Sequence, residues 1–163
     1  GDGVRNALMF ATGKDDWRTP ADLFNQLDVE FDFDIDVAAN AENALCADYF
    51  SPERDALARD WTWPLDYATT CWCNPPYSRG LQGQFIAKAA SERLRGVTTV
   101  MLIPARTDTK AFHAHIWDAQ RHQPREGIEV RFLKGRLKFS VHKDAAPFPS
   151  MIVVFRGVTT EKR

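Results

Sequence analysis

"TTCWCNPPY", residues 69–77, runs from a β-prone apolar segment into an asparagine, two prolines and a tyrosine. The first five residues read as a buried strand that ends at Asn74. Beyond it the backbone cannot coil: Pro75 keeps Asn74 out of the helical region, and Pro76 does the same to Pro75. The result is a stiff extended turn that lacks two N–H donors and presents acceptors, the Asn74 side-chain oxygen and the Pro75 carbonyl. Two acceptors at a fixed separation suit a planar amino group, which has two hydrogens to donate. On a nucleobase such an amine is a weak nucleophile, because its lone pair is delocalised into the ring. Accepting both hydrogens favours a pyramidal nitrogen and frees that lone pair for attack. Tyr77 adds a ring for stacking on the base, worth ~1–3 kcal/mol. The plain alternative is a proline-rich loop closing a strand, with Tyr77 as a surface aromatic. An asparagine at a strand end in an alternating α/β chain favours the chemical reading.

Working outward, Thr19 reads as a cap and Pro20 as the first position of a helix, with Leu23, Phe24 and Leu27 at helical spacing. "FDFDIDVAA", residues 31–39, alternates Phe31, Phe33, Ile35 and Val37 with Asp32, Asp34 and Asp36, the period of a strand. Residues 41–47 and 53–60 read as short helices around "DYFSP". On the other side of the prolines, Phe85, Ile86, Ala89, Ala90 and Leu94 mark an amphipathic helix over 84–95. "VTTVMLIP", residues 97–104, is a core strand. Thr107 and Asp108 can cap a helix over 110–119, and "GIEVRFLKG" and "PSMIVVFR" supply two last strands. Strands alternating with helices predict an α/β fold, a mostly parallel twisted sheet with helices on both faces and an antiparallel last strand. In such sheets ligands sit beyond the carboxyl ends of the strands, where strand order reverses. Asp36 and Asn74 both end strands, which makes that edge the candidate site.

At 163 residues and 44% hydrophobic the chain suits one domain, read as an N-terminal extension over 1–14 and a single catalytic domain over 15–163 without a separate target-recognition domain. Its longest apolar runs, 100–104 and 151–155, fall far short of the ~20 residues that cross a bilayer. The first residues lack the basic and apolar pattern of a secretory leader. Cys46, Cys71 and Cys73 cannot all pair, and Cys71 and Cys73 point to one face of a strand, so free buried thiols in a reducing cytoplasm are expected. None of His113, His115, His122 and His142 has the spacing of a zinc finger or a catalytic metal helix, so no metal site is expected. The net charge of −1 is unevenly spread: residues 15–66 hold fourteen acidic and three basic residues, and residues 121–143 hold seven Lys/Arg and two Glu. The second stretch can draw a phosphate backbone; a merely solvated surface is the alternative.

"NPPY" is similar to the catalytic motif of amino-methyltransferases that use S-adenosylmethionine. "DDWRTP", "FDIDVAA", "RDAL", "NPPYS", "LIPARTDT" and "LKGRLKF", in this order, resemble the phage-type DNA adenine methyltransferases (Dam family) over nearly the whole chain. The resemblance implies a Rossmann-like class I methyltransferase fold and transfer of a methyl group from S-adenosylmethionine to N6 of an adenine flipped out of double-stranded DNA. It implies cofactor-binding residues Trp17, Thr19, Pro20, Asp36, Ala38, Ala39, Asp55 and Leu57, and catalytic residues Asn74, Pro75, Pro76 and Tyr77. Phe139 would join Tyr77 at the target base, and Arg79, Arg106, Arg136 and Lys138 are expected on DNA. Where most methyltransferases carry a glycine-rich turn after the first strand, residues 38–41 are Ala-Ala-Asn-Ala. The same motif also serves cytosine N4, RNA and protein glutamine amides, and a relative could keep the fold as a DNA-binding module without chemistry.

Overall fold

The computed structural model describes residues 18–62, 69–78, 80–139 and 144–159. Helix α1 (Ala21–Phe31) is followed by two short strands, β1 (Ile35–Asp36) and β2 (Asp48–Tyr49), then by two 3-10 turns at Pro52–Arg54 and Ala56–Ala58. Strand β3 (Thr70–Cys73) leads through the prolines to α2 (Leu81–Glu92), β4 (Thr98–Pro104) and α3 (Lys110–His115). A small hairpin, β5 (Trp117–Asp118) and β6 (Gln123–Pro124), precedes the last strands, β7 (Ile128–Phe132) and β8 (Ser150–Phe155). Among the described residues no helix is long and apolar enough to cross a membrane.

Six strands form one sheet in the order β2-β1-β3-β4-β8-β7. β2, β1, β3 and β4 are mutually parallel. β8 runs antiparallel to β4, from Thr99↔Phe155 to Pro104↔Ser150, and β7 runs antiparallel to β8. The mixed sheet and its antiparallel last strand therefore match the expectation. β8 is buried along its whole length and β4 from its second residue, which is why both read as unbroken apolar runs rather than alternating ones.

The helices divide between the two faces. On one, Phe24 and Leu27 of α1 pack with Trp72, Val100, Leu102, Ile152 and Val154. On the other, Phe85, Ile86 and Ala89 of α2 and Phe112 of α3 pack with Ile35, Cys71, Cys73, Met101, Ile103 and Val153. Cys71 and Cys73 thus share one face and Trp72 takes the other, as strand alternation requires. All three cysteines are free, and burial pushes the Cys71 and Cys73 thiols well above their ordinary range.

Several local expectations give way to other contacts. The helix predicted from Pro20 runs on through Phe31 and closes at Asp32 in the left-handed region (φ 53), so β1 keeps only two of the residues that alternate over 31–39. Pro20 sits at the N-cap and Thr19 does not cap the helix. No helix forms over 41–47. There the Asn40 Oδ1 accepts from the backbone N–H groups of Glu42 and Asn43, and Asn43 Oδ1 accepts from that of Asn40, a closed side-chain box that holds a turn. Over 53–60, Asp55 at φ 49 splits the expected helix into the two 3-10 turns. α3 is capped by Thr109, which accepts from the Phe112 N–H, and ends at His115 because the chain turns into the β5–β6 hairpin. Leu94, expected on the buried face, is 66% exposed in the 3-10 turn that closes α2.

Candidate active site

The chain goes from β1 to β2 on one side, then crosses to the other side of β1 to make β3 and continues outward to β4. Strand order therefore reverses between β1 and β3, and the crevice beyond their carboxyl ends is where an open α/β sheet takes a ligand. Asp36 is the last residue of β1 and Asn74 follows the last residue of β3. Asp36 pairs with Trp72, which places Asn74 one dipeptide further along the same edge. Two strand ends chosen from the sequence thus flank one switch point.

Asp36 is 3% exposed. Its Oδ1 accepts from the Ala38 N–H at 3.2 Å and its Oδ2 from the Leu45 N–H at 3.1 Å, so the carboxylate buckles the turn after β1. Burial outweighs these bonds and pushes its pKa up to about 7, with no cationic side chain offsetting the burial among the described residues. The Asn40–Asn43 box occupies the place of a glycine-rich turn. None of the described residues 38–45 has a positive φ, so no glycine is needed there. Ala39 is buried and its N–H donates to the Phe50 carbonyl, while Ala38 is half-buried at the crevice. Beyond β2, on the same edge, Asp55 is exposed and Leu57 packs partly against the core.

The prolines of the motif, Pro75 and Pro76, are buried. Asn74 is half-buried, and its Nδ2 donates to Thr19 Oγ1 at 3.1 Å. Tyr77 meets Phe139 edge-on, with ring centroids 6.4 Å apart, and tilts against Phe148 at 5.5 Å. Its hydroxyl is buried, and that burial raises the phenol pKa well above its ordinary value. Phe139 is 1% exposed, a core ring behind Tyr77, whereas Phe148 is half-buried in the outer position. The sequence reading missed Phe148, which lies in "APFPS", a stretch with no period; its packing against the Tyr77 ring is a tertiary fact.

Arg106 follows β4 on the same edge, is exposed, and lies over the Phe148 ring with Cζ 5.9 Å from its centroid. Arg136 and Lys138 are exposed on either side of Leu137, which packs into the core face that also holds Phe139. Arg106 thus borders the aromatic group, and Arg136 and Lys138 are exposed on the segment that leads into Phe139. Trp17 and Arg79 lie outside the described residues, as does the segment 1–14.

One edge of the sheet thus carries a buried carboxylate, an asparagine followed by two buried prolines, and a group of three aromatic rings with a cation over the outer one. A family model described as DNA N-6-adenine-methyltransferase (Dam) matches residues 8–163. A DNA N-6-adenine-methyltransferase of Haemophilus phage HP1 (strain HP1c1) is 30% identical over 145 residues, which cover 87% of this chain and 79% of the phage protein. One of Escherichia phage T1 is 33% identical over 100 residues, 61% of this chain and 40% of the longer phage protein. With a family match along nearly its full length, and with the motif residues gathered at one switch point, the chain belongs to the Dam family of DNA N-6-adenine-methyltransferases.

Proposed function

We propose that this chain methylates N6 of adenine in double-stranded DNA with S-adenosylmethionine as donor, on a Rossmann-like class I methyltransferase sheet. The observation that supports this most is the placement of Asp36 and Asn74-Pro75-Pro76-Tyr77 on adjacent strand ends at the switch point. The site's donor set fits the cofactor: a buried carboxylate that no cation offsets among the described residues suits a ligand with ammonium and sulfonium charges. Asp36, Ala38, Asp55 and Leu57 would hold it, with Thr19, Pro20 and Ala39 shaping the wall. When bound, the cofactor supplies an electrophilic methyl group.

The chain's own residues do the rest. An adenine amine inside a duplex is out of reach, so the base is flipped out at a cost of a few kcal/mol in unstacking. Tyr77, packed against Phe148 with Phe139 behind it, offers the base one aromatic wall, and Arg106, Arg136 and Lys138 hold the phosphates. Asn74 Oδ1 and the Pro75 carbonyl accept the two amine hydrogens and turn the nitrogen lone pair toward the methyl group. No charged side chain is needed as a permanent base there, because the proton that methylation would make acidic on the amine can leave through solvent. Acting on DNA, the enzyme would work in the cytoplasm of a bacterial cell, whether host- or phage-encoded.

The test is transfer of a labelled methyl group to unmethylated DNA, followed by digestion to nucleosides. Label in N6-methyladenosine is the expected result. Label in N4-methylcytosine, or only with RNA or protein substrates, replaces adenine by another amine. Salt-dependent DNA binding without any transfer makes the chain a binding module.

A further inference from the structure

We propose that Thr19 is a positioning residue whose hydroxyl fixes the carboxamide of Asn74. The inference rests on the methyltransferase reading and goes beyond the cofactor contact that the family resemblance implies for Thr19. The two residues are 55 apart in sequence, and the Asn74 Nδ2 donates to Thr19 Oγ1 at 3.1 Å. Thr19 is 6% exposed and precedes Pro20, which holds it extended at the foot of α1. The same helix is pinned to the same strand by its core side: Phe24 meets Trp72 edge-on at 5.4 Å and stacks on Phe33 at 5.4 Å. Trp72 lies two residues before Asn74. The packing of α1 on β3 therefore sets Thr19 against Asn74 as a consequence of core geometry.

The terminal torsion of an asparagine is broad and roughly two-fold, so the backbone alone does not say which way its oxygen points. A threonine hydroxyl has two acceptor lone pairs and one hydrogen, so it can receive the amide N–H and still donate elsewhere. With the nitrogen on Thr19, the oxygen turns away from Thr19 and keeps its role as acceptor. The flipped carboxamide would offer N–H donors to an amine that has only hydrogens to give.

Thr19→Val removes the hydroxyl at nearly constant shape, Thr19→Ala does so by a second route, and Thr19→Ser keeps it. At saturating cofactor and DNA, both removals lower kcat about tenfold, the value of one hydrogen bond in the transition state. In Thr19→Val, which keeps the shape of the wall, cofactor affinity by calorimetry stays within about twofold, and Thr19→Ser recovers kcat. A second readout needs no turnover: the Asn74 side-chain amide resonances, identified by their loss in Asn74→Ala, exchange with solvent about tenfold faster in Thr19→Val than in wild type or Thr19→Ser. Unchanged kcat and unchanged exchange overturn the proposal. Cofactor affinity lost in step with kcat, with exchange unchanged, overturns it too and makes Thr19 a cofactor contact. If wild type methylates no DNA, the functional reading falls while the exchange measurement still decides the positioning role.

Discussion

The buried carboxylate of Asp36 makes stability depend on pH in a direction opposite to that of most aspartates. Its pKa lies near 7 in the folded chain against an ordinary 3.8. The folded state therefore holds the proton more tightly than the unfolded state between these values. The contribution is fully favourable below about pH 4, falls by about 1.4 kcal/mol per pH unit as pH rises, and levels off above about 7. Over the 3.8-to-7 window the loss reaches ~4 kcal/mol. The thiols near Asp36 do not blur the window, because burial pushes Cys46 up to about 12 and Cys73 well above its ordinary value. The comparison is urea unfolding of wild type and Asp36→Asn between pH 4 and 8. Asparagine cannot accept both backbone N–H groups, so the absolute offset between the two proteins is not diagnostic; its pH slope is. The wild type should lose stability relative to the variant as pH rises, and S-adenosylmethionine, by favouring the ionised form, should shrink the loss and end it at a lower pH. A pH-independent difference, or a wild type that gains on the variant with rising pH, refutes the reasoning.

Asn74→Ala should abolish methyl transfer and leave cofactor affinity within a few-fold, read by label incorporation and calorimetry; joint loss of both contradicts the division of labour between β1 and β3. Glu92 is fully buried, accepts from the Trp61 N–H at 2.8 Å and pairs with the largely buried Lys88 and the exposed Arg95, so Glu92→Leu should cost ~2–3 kcal/mol in unfolding by stranding the Trp61 N–H and the Lys88 ammonium. At Gly157 a Cβ would fall 2.4 Å from the Gly96 carbonyl carbon and oxygen, so Gly157→Ala should lower stability by ~1–3 kcal/mol in the same assay. Removing Arg136 and Lys138 together should flatten the dependence of log affinity for DNA on log salt by about 2, weakening all sequences alike.

The sheet was legible because its central strands are written locally. "VTTVMLIP" and "PSMIVVFR" are long apolar runs, and the proline pair after Cys73 fixes where β3 must end. The short elements were not, because side chains there compete for the backbone. The carboxamides of Asn40 and Asn43 capture N–H groups that a helix over 41–47 would have used. Asp55 takes a left-handed conformation that periodicity does not register. Thr19 has the residue type of a helix cap, yet its hydroxyl serves an asparagine 55 positions away. Phe148 at the aromatic group is equally non-local: nothing in its neighbourhood says that the chain folds it back beside Tyr77.

The asparagine box after β1 bears on which small molecules the crevice refuses. The N–H groups of Asn40, Glu42 and Asn43 are already spent on carboxamide oxygens, and those of Ala38 and Leu45 on a carboxylate. A pyrophosphate needs such groups unspent, so nicotinamide and flavin dinucleotides meet an anion where they would seek a cradle.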